Sequence, residues 1–576
     1  MQFAISTQWK VCTRASQEHF AQFSGVSPLI VQILYNRNIQ HVTEVTEFLD
    51  GKASLHDPFL MKGMTSAVQH IQHAITNKET IVVYGDYDVD GVTSTVLTVQ
   101  VLQALGADVK PYIPNRFEEG YGLNKEAIAE LAQRGTNLII TVDCGIRSHD
   151  EIAYGNSLGM KFIVTDHHTL AKDTMGHDIV PPALTVLNPK QADCEYPFEE
   201  LCGVGICFKL TQALLSECES VTDLQEEDVI DLVALGTVAD IVPLLGENRT
   251  LVKKGLAYIN KQPKRLGLQA MIEQTGSELG RIGSDTIGFV FGPRLNAAGR
   301  LKHARFAYAL LFTKDKEKAK KLALALNQIN VERQAMTRQF VEMARNEVLA
   351  GEELAPLYLI CRPEFSKGVV GLVSSRLTEE FYRPTLVAQQ DETHTTGSAR
   401  SIPEFHITQA LDQCADLLER YGGHATAAGF TIENSKLPDL RNRLVELARE
   451  SFGGEPLQKT LLIDAEVNLR GVSYQLVDEI NGLNPFGHKN QSPLFLTRNL
   501  VVQDKRTVGK NNTHLKLRLF DGKRSWDAIG FRLANHETAL ANPDKIDVVY
   551  SLEFNTWNDL TRIQLNLRDI KPSVVD

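Results

Sequence analysis

Apolar and polar positions alternate between two periods along the first half of this chain. Thr80-Ile81-Val82-Val83-Tyr84-Gly85 is a continuous apolar run of strand length, and Thr93 to Leu105 then follows helical spacing. Asp108 to Ile113 reads as the next strand, Asn124 to Gln133 as a helix, and Asn137 to Val142 as a further strand. Strands alternating with helices predict a parallel sheet in an α/β fold. Helical patterns dominate from Val204 to about Leu311. From Lys314 to Ala350 there is neither Gly nor Pro, which predicts one long helix, open to an interruption, of about 50 Å at 1.5 Å per residue. Thr313 is a candidate cap, and a helix of that length suits a strut between domains better than a place in one core. A second α/β pattern runs from Leu357 to about Ala448, and Ser451 to Pro456 reads as a linker. Short strand signals follow at Leu461–Ile463, Leu500–Val502, His514–Leu519, Ile546–Tyr550 and Arg562–Leu567, which predicts a small β-barrel. The expected division is a polar helical lead-in over 1–75, an α/β domain over 76–312, a connecting helix over 313–350, a second, smaller α/β domain over 351–452 and a barrel over 453–576.

Composition narrows the class more than the chemistry. At 576 residues the chain exceeds what one core supports, and two to four domains are expected. No apolar run approaches the ~20 residues of a membrane span. The first ten residues lack the charged and apolar regions of a signal peptide, so a cytoplasmic location is expected. Eight Cys are scattered without a Cys-x-x-Cys pair, as expected of reduced, mostly buried thiols. A formal net charge of −11 argues against a nucleic-acid partner. The charge is uneven, however. Arg498, Lys505, Arg506, Lys510, Lys516, Arg518, Lys523 and Arg524 crowd one stretch against Asp504 and Asp521, and a local basic face can hold a phosphate backbone.

The chemistry lies in four acidic patches: Asp86-x-Asp88-x-Asp90-Gly91, Asp143, Asp166-His167-His168 and Asp240. At least three follow an apolar, β-rich run. In an open parallel sheet such positions converge on the crevice at the carboxyl ends of the strands. Converging carboxylates repel unless a cation sits between them, so a metal site, with two ions as the simplest case, is predicted. A calcium loop is excluded because its twelfth position is Leu97. A dinucleotide cofactor is excluded because Gly203-x-Gly205 continues to Phe208 where a third Gly is needed. Candidate phosphate grips follow, each placing Arg or His among small residues: Asn115 to Gly122 with Arg116, Gly292 to Arg300 with Arg294, Gly397 to Ser401 with Arg400, and Gly422 to Gly429 with His424.

These segments, in order, resemble the DHH phosphoesterase superfamily, specifically its single-strand-specific 5′→3′ exonucleases. The resemblance rests on Tyr84 to Gly91, Pro114 to Gly122, Thr141 to Gly145, Thr165 to His168, Gly236 to Pro243, Arg294 to Arg300, Gly397 to Ser401 and Gly423-His424. It implies two divalent ions, Mn²⁺ or Mg²⁺, with Asp88, Asp90, Asp143, His167 and Asp240 as ligands and Asp143 bridging. Asp86 and His168 would be ligands or their immediate neighbours with a part in catalysis, and Asp166 would orient them. Arg116, Ser398 and Arg400 would hold a 5′-terminal phosphate, Tyr121 would stack near the first bases, and Arg294, Asn296, Arg300 and His424 would position the strand. The C-terminal stretch would be an oligonucleotide-binding fold. Expected partners are single-stranded DNA, a single-strand-binding protein and a helicase, with a monomer acting in repair and recombination and no membrane contact. Two segments depart from the family pattern, Phe365-Ser366-Lys367 and Pro485 to Pro493. A phosphoesterase of very short oligonucleotides and an inactive strand-binding scaffold are the alternatives; the long helix and barrel argue against the first, the retained carboxylates against the second.

Overall fold

The apolar run Thr80–Gly85 forms a strand whose last five residues are buried, because helices cover both faces of its sheet. The computed structural model describes all residues except 1–6, 52–54, 117, 121, 219–221, 352, 455, 535, 537–544, 558–559 and 574–576. Five strands make this sheet: Asp108–Tyr112, Thr80–Gly85, Leu138–Val142, Lys161–Thr165 and Thr185–Leu187, in that spatial order and all parallel. In chain order this is 2-1-3-4-5, so the winding reverses between the first and third strands, where α/β sheets open a ligand crevice. The helix Val89–Ala104 is buried along most of its length. It packs on the sheet and against the helices Gly203–Glu217 and Ile230–Ala239.

Lys316–Leu349 is one uninterrupted helix of 34 residues. Its cap is Asp315, whose side chain accepts from the Glu317 and Lys318 amides; the expected cap, Thr313, instead accepts from the Asp315 amide through its hydroxyl. The helix is more than a strut. Ala319, Ala323 and Leu326 join the core of the parallel-sheet domain, whereas Phe340, Ala344 and Val348 join a second cluster with Ile360, Phe365, Val370 and Val387. Phe365, one of the departures from the family pattern, is fully buried there. The second domain carries a mixed sheet in the order Leu418–His424, Ala427–Glu433, His394–Arg400, Thr385–Gln390, Tyr358–Arg362, with only the last pair parallel.

The chain divides into two units, one formed by 55–242 and 250–459 and the other by 7–54, 243–249 and 460–576. The second contains a closed barrel: Phe495–Val508, His514–Phe520, Ser525–Gly530, Leu560–Pro572 and Ile546–Trp557 pair in turn, and the last closes on the first. The expected separate lead-in is divided. Helix Met64–Thr76 packs into the parallel-sheet core. Phe23, Ile30, Ile33, Leu34 and Phe48 instead share one core with Leu483, Phe495 and Trp526 of the barrel unit. The strand Thr7–Val11 pairs with Lys459–Ile463. Arg249, 2 % exposed, donates to the carbonyls of Phe48 and Leu483 and lies 3.8 Å over the Phe48 ring, so a buried cation closes this unit on carbonyls and a π face. In the predicted basic stretch, Arg498 is paired with Glu466 and Asp547, and Arg524 is stacked on Trp526.

Candidate metal centre

Each acidic patch reaches one point by a different local route. Asp88 caps the helix Val89–Ala104, accepting from the Gly91 amide at 3.1 Å. Asp90, in the first turn of that helix, is 1 % exposed and accepts from the amides of Gly203 and Val204 at 2.6 and 2.8 Å, so the start of a second helix holds its carboxylate. Asp143 follows the strand Leu138–Val142 with φ 61°, an uncommon left-handed conformation that Asp tolerates and that functional sites often retain. Asp240 caps the carboxyl end of Ile230–Ala239, where the helix dipole opposes a negative charge, so stability does not account for it.

His167 joins these groups. Its Nε2 lies 3.1 Å from Asp143, 3.6 Å from Asp240 and 3.9 Å from Asp90. Its neighbour His168 is held through Nδ1 by Asp166 at 2.7 Å, and Asp166 also accepts from the amides of Ile146 and His168. Three overlapping sets place ligand atoms within 4.8 Å of one another: Asp143, His167 and His168; Asp90, His167 and Asp240; Asp86, Asp88 and Asp143. The last two sets, joined by the neighbours Asp143 and His167, match a pair of adjacent ions.

The electrostatics fit a cation. Asp86 Oδ1, Asp143 Oδ1 and His167 Nε2 are buried without a hydrogen-bond partner, a costly condition for three polar atoms unless a further group binds them. Burial, then neighbouring carboxylates, raise Asp86, Asp143 and Asp240 well above the carboxylate range and Asp90 to about 7. Burial lowers His167 to about 3, leaving a neutral imidazole, the form that binds metal. Asp166 is buried too, but the His168 hydrogen bond outweighs that and brings it to about 2; the same bond raises His168.

Beside the carboxylates lies a cluster of guanidinium groups. Arg116 sits 4.9 Å over the ring of Tyr87, the residue between Asp86 and Asp88. Burial and the charges of Arg116, Arg333 and Arg400 lower Arg300 to about 10. Arg400 donates to Ser398 Oγ at 2.9 Å, and Arg300 to the Gly368 carbonyl at 3.3 Å. Half-buried guanidinium groups gathered this closely suit an anion. Asn296 accepts from the Val89 amide and so braces the Asp88 loop. Arg294 is bonded to Asn327 and the Val290 carbonyl and lies within electrostatic reach of Arg333. His424 lies within electrostatic reach of His168, Arg147 and Lys190. Tyr121 lies outside the described residues.

Sequence reasoning missed several groups. Gly203 figures in the sequence only as part of an incomplete dinucleotide fingerprint. A Cβ there would fall 2.6 Å from the Asp143 Cβ and 2.8 Å from its Oδ1. Gly236 plays the same part for Asp90, where a Cβ would lie 2.9 Å from Oδ1. Arg333, on the long helix, extends the guanidinium cluster, and its Nε is buried without a hydrogen-bond partner. The motif spacing could have flagged Gly236, which stands four residues before Asp240, whereas Gly203 lies far from every acidic patch along the chain and Arg333 carries no local signal.

Comparison with known proteins agrees with this geometry. The chain matches the DHH family N-terminal domain over residues 80–237, the DHHA1 domain over 354–451 and the RecJ OB domain over 463–569. It is 38% identical over 551 residues to the single-stranded-DNA-specific exonuclease RecJ of Bacillus subtilis, covering 94% of this chain and 68% of that one. It is 33% identical to the same enzyme of Haemophilus influenzae, covering 95% of this chain and 96% of that one. The crystal structure of RecJ from Thermus thermophilus in complex with Mn²⁺ superimposes with a TM-score of 0.85 at 29% identity, over 99% of this chain and 80% of that one. A bundle of strand-end carboxylates, a paired His loop and three matching domains in order thus lead to one conclusion: this chain belongs to the RecJ family of DHH exonucleases.

Proposed function

We propose that this protein is a metal-dependent exonuclease that hydrolyses single-stranded DNA from the 5′ end and releases 5′-mononucleotides. The observation that carries the reading is the stack of Arg116 on Tyr87, which sets a guanidinium beside the Asp86–Asp88 loop and supports an anion pocket there. In this reading Arg116, Arg300, Ser398 and Arg400 take the 5′-terminal phosphate, and the next phosphodiester falls at the acidic centre. One nucleotide then separates grip and cut, which accounts for both direction and product size.

Asp88, Asp90, Asp143, His167 and Asp240, with Asp86 adjoining, would hold two divalent ions, Mn²⁺ or Mg²⁺. Bound there, such ions supply Lewis acidity and a water ionised near neutral pH. The chain's own groups do the rest. Arg300 and Arg400 balance charge developing on the phosphate oxygens. Asp166 fixes the His168 ring through Nδ1, so proton transfer at that ring goes through Nε2. Asn296 keeps the Asp88 loop in register, and His424 borders the strand's path. One chain carries both the acidic centre and the anion pocket, which supports action as a monomer. A cytoplasmic role in repair and recombination, with recruitment by a single-strand-binding protein and a helicase, completes the proposal.

The test is digestion of single- and double-stranded DNA labelled at either end, with Mg²⁺ or Mn²⁺. Early release of the 5′ label as a mononucleotide from single strands is expected. Release from the 3′ end, or equal use of duplex, contradicts the reading.

A further inference from the structure

The strand Thr185–Leu187 forms one edge of the parallel sheet, and the chain leaving it turns back on the His167–His168 loop. Asn188, fully buried, donates from Nδ2 to the carbonyl of His168 at 2.9 Å. Lys190 donates from Nζ to the carbonyl of His167 at 2.6 Å. The two grips are locked together. The Lys190 amide donates to Asn188 Oδ1 at 2.9 Å, and Gln191 Nε2 donates to the Asn188 and Val186 carbonyls at 3.1 Å. The Asp166 amide adds a main-chain tie to Leu187 at 3.1 Å. One short segment therefore holds the loop that presents both imidazoles by each of its carbonyls.

A lysine is an expensive way to satisfy one carbonyl, since ordering its long side chain costs rotamer entropy. Its charge gives the position a second use. Lys190 lies within electrostatic reach of Asp240, His167 and His424, opposite in sign to the carboxylates that crowd the centre. The Arg116–Arg300–Arg400 cluster borders Asp86 and Asp88. Lys190 borders the other edge.

We propose that Asn188 and Lys190 are positioning residues of the metal centre. They hold the His167–His168 main chain so that the rings meet the carboxylates, and Lys190 sets a fixed positive charge beside Asp240. The proposal rests on the reading of His167 as a metal ligand. A purely structural role would lower the stability of the metal-free protein and leave its metal affinity alone. A positioning role acts on metal affinity itself.

Full-length Lys190→Met, Lys190→Arg, Asn188→Ala and His167→Ala proteins separate these cases. The measurements are Mn²⁺ affinity from the spin-resonance signal of free Mn²⁺, unfolding temperature in chelator, and KM and kcat on a 5′-phosphorylated single strand. Lys190→Met and Asn188→Ala are expected to bind Mn²⁺ at least about tenfold more weakly, the usual cost of losing a group that orients a ligand. Their kcat falls, KM for the strand changes by less than about twofold, and Lys190→Arg, which keeps donor and charge, recovers most of the affinity. Wild-type Mn²⁺ affinity in Lys190→Met overturns the proposal, as does a Lys190→Arg protein no better than Lys190→Met. If Lys190→Met fails to fold, Asn188→Ala decides, and unchanged affinity there overturns the proposal equally. Wild-type affinity in His167→Ala would instead refute the underlying metal assignment, independently of the other variants.

Discussion

At the residue scale the centre is a set of carboxylates whose proton affinity burial and mutual repulsion raise. Asp143→Ala removes the group shared between two ligand sets and should cut Mn²⁺-dependent nucleotide release by more than about a hundredfold, whereas Asp166→Asn, acting only through His168, should cost about 10–100-fold. A pH effect follows from the same crowding. Without metal, Asp90 stands at about 7, and Asp86, Asp143 and Asp240 also lie above their unfolded values. Raised carboxyls bind more protons folded than unfolded, so their stabilisation is complete below about pH 4 and is lost as pH rises through the folded values. His167, lowered to about 3, opposes this with one proton against several. In chelator the unfolding temperature should therefore fall between about pH 5 and pH 8, and the gain on adding Mn²⁺ should grow over that interval. A thermal scan at each pH, with and without the ion, checks both signs.

At the scale of elements, the legible parts of the sequence were those with local causes. The runs at 81–83, 138–140 and 162–164 are apolar throughout because both faces of the sheet are covered, and an Asp follows each within three residues. Gly203 was harder to read, since its importance depends on a helix start arriving at Asp143 from 60 positions along the chain. Gly203→Ala should displace that helix or Asp143; loss of Mn²⁺ binding with retained helical content by circular dichroism is the expected outcome. The long helix was legible in length but not in role. Its spacing of small and large apolar residues looks alike at both ends, and only the fold shows that each end enters a different core. It consequently fixes Arg333 with respect to both.

At the scale of the whole molecule, the segment 7–54 was least legible, because its apolar partners lie some 400 residues away and no local pattern names them. Removing 460–576 alone should expose Phe23, Ile30, Ile33, Leu34 and Phe48 and yield an aggregating protein. Removing 7–54 as well should restore solubility, and light scattering on the two truncations distinguishes the outcomes. The same arrangement has a consequence for synthesis. A ribosome extends the chain at roughly 5–20 residues per second, so residues 7–54 would wait about 25–105 s for the completed barrel that covers them. Over that interval the nascent chain carries the apolar segment 7–54 uncovered. A factor that shelters emerging chains would find its client there, well before the nuclease centre is complete.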